Sequence, residues 1–245
     1  MGSRPHPTTI GAMPTLAITW LGHATFLLRT PGGKRVLIDP WLTENPACPP
    51  SHKKPPAVDL ILASHGHADH IGDLVACARA SGAPVVAAPE LCDWLSRKGI
   101  QHTAHMNKGG SQIVAGVRVS MTDARHSSGF VDNGQMVYMG EPAGFVIHLE
   151  DERTIYFAGD TSLFGDMRLI GEMYSPQIAM LPIGDRFTMG PAAAARACDF
   201  LGVRQVVPMH YGTFPILTGR PEELRALVEP KGIQVLELAP GETAE

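Results

Sequence analysis

One stretch of the sequence, SHGHADH at residues 64–70, restricts what this chain can fold into more than any other. It places three histidines and an aspartate within six positions, at His65, His67, Asp69 and His70. The stretch directly follows residues 58–63, an apolar run that is typical of a buried strand. Burying so many titratable side chains without a ligand would be costly. We therefore expect a fold that holds a metal-binding loop at the end of a core strand.

The rest of the chain consists of short apolar runs separated by glycine and proline. The runs that predict strands are residues 16–21, 24–29, 35–39, 58–63, 83–89, 117–125, 143–150, 154–160, 177–184, 204–210 and 233–238. Helical apolar spacing from His70 predicts a helix that ends at Gly82. Prolines suited to the first helical turn predict three more helices, beginning at Pro89, Pro191 and Pro221.

Length and composition predict one large domain. The chain has 245 residues, of which 44% are hydrophobic and 18% are charged, so it can bury a substantial core without disulfides. Residues 1–15 contain no apolar signal-peptide segment and are expected to form a disordered extension. Residues 16–245 are then expected to form a single domain.

The net charge and the cysteine content indicate which partners the protein binds and in which cellular compartment it acts. The formal net charge of −4 offers no basic surface for nucleic acid. No apolar run approaches the roughly 20 residues that span a bilayer. The four cysteines form no C-x-x-C pair, which is typical of buried thiols in a reducing compartment. We expect a cytoplasmic protein that acts on a small molecule.

Further metal ligands are expected from other strand ends, because a single loop rarely completes a metal site. His126, Asp160 and His210 each follow an apolar run. Imidazole and carboxylate are the ligands that Zn²⁺ and similar ions favour. Residues 58–73 and 177–191 also share a plan of buried strand, polar loop and helix. Two such halves are expected to pack sheet against sheet, with their loops at one edge.

These residues carry a resemblance to the metallo-β-lactamase superfamily of hydrolases. The SHGHADH stretch matches the superfamily's His-x-His-x-Asp-His signature, and the later histidine, aspartate and histidine follow in the expected order. The segments WLGHATFLL, LIDPWLTENP, MNKGG, RHSSG, AGFVI, FAGDT and PIGDRFTMGP resemble an uncharacterised metal-dependent hydrolase family close to the L-ascorbate-6-phosphate lactonases. WLGHAT also resembles N-acyl-phosphatidylethanolamine phospholipase D. The resemblance begins near Leu16 and covers nearly all of the chain.

The resemblance implies an α/β fold of the four-layer αββα type, with two mixed sheets flanked by helices. It also implies a site for two divalent metal ions, of which zinc is the first expectation and manganese, iron or nickel are alternatives. The implied ligands of the first ion are His65, His67 and His126. Those of the second are Asp69, His70 and His210, with Asp160 as the bridge.

Other residues are expected to support catalysis or to contact the substrate. His23 and Asp39 are expected to act beside Asp69, His23 facing the ions and Asp39 bracing the metal loop through hydrogen bonds. Each could instead be purely structural. Asp185 and Arg186 are expected to contact the substrate, although a surface ion pair is the simpler interpretation. Specificity is expected to depend on the loops over residues 41–56, 127–140 and 185–190.

The function implied is hydrolysis of a small ester, lactone or phosphoester by a hydroxide that bridges the two metal ions. One alternative is an iron-dependent oxidoreductase of the persulfide-dioxygenase kind on the same fold. A second is an RNA or DNA phosphodiesterase, although the acidic chain counts against a phosphate-rich polymer. Small hydrolases of this kind commonly assemble, so a homo-oligomer is also expected.

Overall fold

The computed structural model describes residues 15–245, so the disordered extension predicted for residues 1–15 lies outside the described residues except for Thr15. Strands β1 to β8 are Ala17–Trp20, Phe26–Arg29, Arg35–Ile38, Leu60–Leu62, Val85–Ala87, Thr103–His105, Ser111–Val114 and Val117–Asp123. Strands β9 to β16 are Gly129–Asp132, Gln135–Tyr138, Ala143–His148, Thr154–Phe157, Ile178–Pro182, Gln205–Met209, Gln234–Val235 and Thr243–Ala244. Helices α1 to α6 are Ala68–Ile71, Leu74–Ser81, Pro89–Arg97, Met167–Tyr174, Pro191–Leu201 and Pro221–Val228. Two 3₁₀ turns are Pro50–His52 and Glu229–Lys231.

The described residues form two seven-stranded mixed sheets and a separate two-stranded hairpin of β9 and β10. The first sheet has the order β16-β1-β2-β3-β4-β5-β6, antiparallel from β16 to β3 and parallel from β3 to β6. The second has the order β15-β14-β13-β12-β11-β8-β7, parallel from β15 to β12 and antiparallel from there to β7. Each sheet therefore repeats the same combination of an antiparallel and a parallel half.

Successive side chains of each strand face opposite sides of the sheet, and the buried ones form three hydrophobic cores. The first core lies between the sheets, where the rings of Phe26 and Phe157 have centroids 6.4 Å apart. The neighbour of Phe157, Tyr156, points the other way and packs with α4, α5 and α6. Ile61 of β4 likewise points away from the first core, toward α2 and α3. Because successive side chains of a strand face opposite sides, both sheets are covered on both faces. This is the predicted αββα sandwich.

The helix predicted to run without a break from His70 to Gly82 is in fact two helices, α1 and α2. The chain turns at Gly72 and Asp73, where the Asp73 carboxylate accepts hydrogen bonds from the backbone amides of Leu42 and Thr43 at 2.5 and 2.9 Å. A side chain on Gly72 would come within 2.8 Å of Trp41. The turn therefore fits against the loop that precedes β4, a contact that helical periodicity does not reveal. Asp69 and His70 accordingly lie on the one-turn helix α1 rather than in an open loop.

Several further elements were not predicted, among them the strands β6, β7 and β16. The region expected to be a loop over residues 127–140 contains the β9–β10 hairpin, which turns at Asn133 and Gly134 with φ of 51° and 80°. Asparagine followed by glycine is the usual signal for such a two-residue turn. The sequence analysis also did not predict helix α4. Within residues 15–245, the longest helices are too short and too polar to pass through a bilayer.

Candidate metal centre

The predicted ligands meet at one edge of the sandwich, because each follows a strand that ends there. Strand β4 of the first sheet leads into His65, His67 and α1. In the second sheet, His126 follows β8, Asp160 follows β12 and His210 follows β14. Rigid strands thus hold polar side chains from both sheets against each other, although the ligands are far apart in sequence.

The first cluster consists of His65, His67 and His126. One ring nitrogen of each lies within 4.8 Å of those of the other two. Nε2 of His65 is 3.0 Å from Nδ1 of His67. His65 is buried, whereas the other two side chains are partly open to solvent. Three imidazole nitrogens at this separation match the ligand set of a single zinc ion with one position left open.

The second cluster consists of His23, Asp69, His70 and His210. One ligand atom of each again lies within 4.8 Å of the others. Oδ2 of Asp69 is 3.8 Å from Nε2 of His210 and 4.0 Å from Nε2 of His70. His23 was predicted to face the ions, and the structure brings it into this group.

The Asp160 carboxylate lies between the two clusters. Its Oδ2 atom is 2.9 Å from Nε2 of His210 and 3.4 Å from Nε2 of His70. The same oxygen is 3.6 Å from Nε2 of His126, which belongs to the first cluster. Asp160 therefore occupies the position that a shared ligand would need.

Buried polar atoms without partners test whether this donor set fits metal ions. Among residues 15–245, four buried side-chain polar atoms have no hydrogen-bond partner. Three belong to this centre: Nε2 of His70, Oδ1 of Asp160 and Nδ1 of His210. Native proteins rarely leave such atoms unsatisfied, and a bound ion can satisfy Nε2 of His70 and Oδ1 of Asp160 where no protein partner does. His210 faces the two carboxylates with its Nε2 atom, so its unpartnered Nδ1 atom does not bear on the ion. The residues present therefore fit a pair of divalent cations.

The pKa values of the first cluster favour neutral imidazoles. Burial, followed by the His70 imidazole, holds the pKa of His65 well below its usual value. Burial and the neighbouring His126 lower the pKa of His67, and burial also lowers the pKa of His126. Neutral imidazoles keep the lone pairs that a metal ion requires.

The carboxylates of the centre are held ionised, and one histidine is held charged. Burial opposes ionisation of Asp160, but His210 and His70 outweigh it and keep the pKa of this carboxyl well below normal. Burial likewise opposes ionisation of Asp69. A hydrogen bond from His23 and the charge of His70 outweigh this effect, so the pKa of Asp69 lies below its usual value. Burial also opposes charge on His70, but the Asp160 carboxylate outweighs it and raises the pKa of His70 well above normal.

Asp39 supports ligands in both clusters. Its Oδ2 accepts a hydrogen bond from Nδ1 of His70 at 2.7 Å and another from the hydroxyl of Ser64 at 2.6 Å. Its Oδ1 accepts one from the backbone amide of Ser64 at 2.7 Å. The Ser64 hydroxyl is also 3.0 Å from Nδ1 of His65. Asp39 was predicted to brace this loop, and the structure provides these contacts.

His23 connects Asp69 to a residue that the sequence did not reveal. Nε2 of His23 is 3.0 Å from Oδ2 of Asp69, and its Nδ1 is 2.9 Å from the hydroxyl of Thr213. Burial and the His210 imidazole lower the pKa of His23 to about 4, so the ring is neutral at pH 7. A carboxylate can only accept, so Nε2 carries the proton and Nδ1 accepts the hydrogen bond from Thr213.

Three of the nine described residues other than glycine that have positive φ belong to the centre. His23, Asp39 and His210 have φ of 57°, 45° and 55°, a left-handed conformation that side chains other than glycine adopt infrequently. The backbone carbonyl of His23 accepts hydrogen bonds from the amide of His210 at 3.0 Å and from the Trp20 indole at 2.9 Å. Such conformations persist where surrounding contacts impose them, and they cluster at functional sites.

A cavity of about 440 Å³ opens onto the centre. Five of the predicted ligands line it, together with Ala68, Ser127 and Phe187. Asp185 and Arg186, predicted to contact substrate, are exposed beside it and do not form its wall. Their contact with substrate stays a prediction.

Sequence reasoning missed three residues here: Ser64, Thr213 and Phe187. Ser64 had a local signal, since it directly precedes the first histidine of the cluster. Phe187 was included only as part of the loop over residues 185–190, and Thr213 had no signal, because their positions depend on how loops of the second sheet fold back over the predicted ligands.

Comparisons with other proteins agree on one family. Residues 34–211 match the beta-lactamase superfamily domain. The chain is 51% identical over 228 residues to a UPF0173 metal-dependent hydrolase of Koribacter versatilis, covering 93% of this chain and 97% of that protein. It is 51% identical over 230 residues to a second, from Solibacter usitatus, covering 94% and 100%. Among solved structures it is similar to Igni18, a metallo hydrolase from the archaeon Ignicoccus hospitalis. The TM-score is 0.83 at 36% identity, covering 94% of this chain and 97% of that one.

Proposed function

The chain belongs to the UPF0173 family of metal-dependent hydrolases within the beta-lactamase superfamily, and from that premise we propose that it hydrolyses a small ester, lactone or phosphoester with two metal ions. The observation that carries this proposal is the convergence of seven imidazole and carboxylate side chains, five of which line one cavity, together with two buried polar atoms, Nε2 of His70 and Oδ1 of Asp160, that lack partners. Structural zinc sites are closed by four protein ligands, whereas a set of seven for two ions leaves positions open to water and substrate.

We assign the ligands as the two clusters divide them. His65, His67 and His126 hold the first ion. Asp69, His70 and His210 hold the second, and Asp160 contributes to both. Zinc is the first expectation because nitrogen and carboxylate oxygen are its usual ligands outside thiolate sites. When bound, two such cations supply a hydroxide at neutral pH and polarise the bond that is cleaved.

The remaining residues prepare the ligands for that role. Asp39 accepts a hydrogen bond from Nδ1 of His70, so Nε2 of His70 faces the second ion site and would give up its proton when it binds the ion. Ser64 donates to Asp39 and accepts from Nδ1 of His65, which directs Nε2 of His65 toward the first ion site. His23 donates to Asp69 and helps to keep that carboxylate ionised at the edge of the cavity.

The experiment is metal analysis followed by a substrate screen. Purified protein is expected to bind about two zinc ions per chain, and the zinc-saturated protein is assayed with lactones, carboxylic esters and phosphodiesters. The His67→Ala variant is expected to lose at least about a hundredfold in kcat/KM, because it removes a ligand of the first ion. His105→Ala is the matched control, since this histidine is exposed on β6.

Two results would contradict the proposal. One is full hydrolase activity in protein stripped of metal by a chelator. The other is a preparation with a single iron per chain that consumes oxygen, which would favour the persulfide-dioxygenase alternative.

A further inference from the structure

Two phenylalanines lie beside the metal centre without being buried. Phe187 belongs to the loop after β13, and Phe214 to the loop after β14. Their exposed fractions are 54% and 39%, which is high for large apolar side chains. Ile216, two residues after Phe214, is 39% exposed as well. Of these three residues Phe187 lines the cavity, and an exposed large apolar side chain at such a place commonly marks a ligand-binding groove.

Phe187 is held in place by the backbone of its loop. Asp185 and Arg186 have φ of 63° and 45°, so two successive residues adopt the left-handed conformation. The amides of Asp185 and Thr188 donate to the carbonyls of Met189 and Asp185 at 3.0 and 3.1 Å, which closes the loop on itself. The tight turn leaves Phe187 lining the cavity instead of packing into the core.

The same loop is attached to the metal centre. The amide of Met189 donates to the carbonyl of Thr161 at 3.1 Å, and Thr161 directly follows Asp160. The backbone that carries Phe187 is therefore held next to the segment that carries Asp160. A substrate group resting on this ring would lie close to the reacting centre.

Phe214 lies against the second cluster. Its ring centroid is 6.0 Å from that of His23 and 6.1 Å from that of Trp41. His23 in turn contacts Asp69, so Phe214 is one residue removed from a predicted ligand. The two phenylalanines thus come from different loops, one associated with Asp160 and the other with His23.

The cavity wall offers no cationic side chain among the described residues. None of the eight residues that line it is lysine or arginine, and Arg186, which lies beside it, has its guanidinium carbon over the Phe187 ring at 5.6 Å from the centroid. Sites that hold phosphate groups usually add arginine, lysine or a helix N-terminus to any metal ions. A wall that combines aromatic and small side chains instead suits an uncharged group with apolar surface.

We propose that this cavity takes neutral carboxylic esters or lactones whose apolar acyl chain or ring packs on Phe187 and Phe214, an inference that rests on the proposed hydrolase function. In the reaction, water adds across the acyl C–O bond. The oxygen of water stays on the acyl carbon, the alkoxy oxygen leaves with one proton as the alcohol, and the second proton dissociates from the acid product. The acyl product is then a carboxylate with the same apolar tail.

Product binding tests the apolar surface without requiring turnover. Straight-chain carboxylates from acetate to octanoate are titrated into zinc-saturated protein by calorimetry. Each added methylene that packs on the rings is expected to tighten Kd by about threefold to fourfold. Phe187→Ala and Phe214→Ala are expected to flatten this dependence while acetate itself binds as in the unaltered protein. Leu169→Ala is the matched control, because this residue is 52% exposed on α4, away from the cavity wall.

Kinetics separate this inference from the proposed function. The kcat/KM for p-nitrophenyl esters is expected to rise with acyl length in the same way and to exceed that for bis(p-nitrophenyl) phosphate. Three outcomes would overturn the inference and leave the hydrolase proposal standing. They are a carboxylate Kd that does not depend on chain length, a dependence on chain length that is unchanged in both phenylalanine variants, and a preference for the phosphodiester as substrate. A steep carboxylate series without hydrolysis of any substrate would sink the hydrolase proposal while supporting the apolar surface.

Discussion

Asp39 accepts a hydrogen bond from Nδ1 of His70 at 2.7 Å, and both side chains are fully buried. The same carboxylate accepts a second hydrogen bond from Ser64, whose hydroxyl contacts Nδ1 of His65. His65 belongs to the first cluster and His70 to the second. One carboxylate therefore orients a ligand in each half of the centre, directly in one case and through a serine in the other.

Asp39→Asn is expected to weaken binding of both metal ions, by about tenfold to a hundredfold. The amide keeps the size of the side chain but removes its charge and places a donor against His70 or Ser64, which already donate. Zinc affinity measured by competition with a chelating dye tests this. Asp93→Asn is the control, since Asp93 is an exposed residue of α3. Equal affinities in the two variants would show that Asp39 does not position the ligands.

Ser64→Ala is expected to affect mainly the first ion. The alanine leaves the His70–Asp39 hydrogen bond in place but removes the contact that sets the ring of His65. After dialysis against a weak chelator, the variant is expected to retain about one zinc ion per chain where the unaltered protein retains about two. Ser51→Ala, at an exposed serine, provides the comparison. Retention of both ions by Ser64→Ala contradicts this prediction.

Thr213→Val is expected to weaken the hydrogen bond between His23 and Asp69. Valine has the shape of threonine but cannot donate to Nδ1 of His23, so the ring loses the contact that favours a proton on Nε2. The tautomer of His23 is read from the ¹⁵N shifts of its ring, and the affinity for the second zinc ion is expected to fall severalfold. Thr213→Ser keeps the hydroxyl and is expected to restore both properties. If Thr213→Ser has the same tautomer and zinc affinity as Thr213→Val, the change is due to altered side-chain packing and not to the lost hydroxyl.

The metal-free protein is expected to lose stability as the pH falls from 6.5 toward 4. Burial lowers the pKa of His23 to about 4 and that of His65 well below normal, so the unfolded chain takes up protons that the folded chain refuses. These two groups alone lower the free energy of unfolding by about 2 kcal/mol for each pH unit of acidification near pH 5.5. The raised pKa of His70 acts mainly at higher pH, because well below pH 6.5 this residue is protonated in both states.

Urea unfolding of the metal-free protein at pH 7.5, 6.5 and 5.5 measures this slope. His23→Gln is expected to reduce this slope between pH 6.5 and 5.5 by about 1 kcal/mol per pH unit, whatever its effect on absolute stability. A free energy of unfolding that does not change between pH 6.5 and 5.5 is incompatible with buried neutral histidines.

Much of the fold could be predicted because its signals are local. Apolar runs of strand length bounded by glycine and proline predicted the sheets. The prolines at the first turns of α3, α5 and α6 and the glycine after α2 marked helix ends correctly. The break between α1 and α2 was missed because Asp73 bonds to the loop at Leu42, more than thirty residues earlier. Periodicity contains no information about such a contact.

The sequence by itself determined the chemistry of the candidate centre. Four titratable residues directly after a core strand, and three more at later strand ends, predict metal ligands without any knowledge of the packing. Only the tertiary structure decided which residues support them. Thr213 reaches His23 across 190 positions, and Phe187 rather than Arg186 lines the cavity because two left-handed residues turn the loop. Side-chain direction in a loop depends on backbone angles and on long-range hydrogen bonds, and these exist only once the two sheets have packed together.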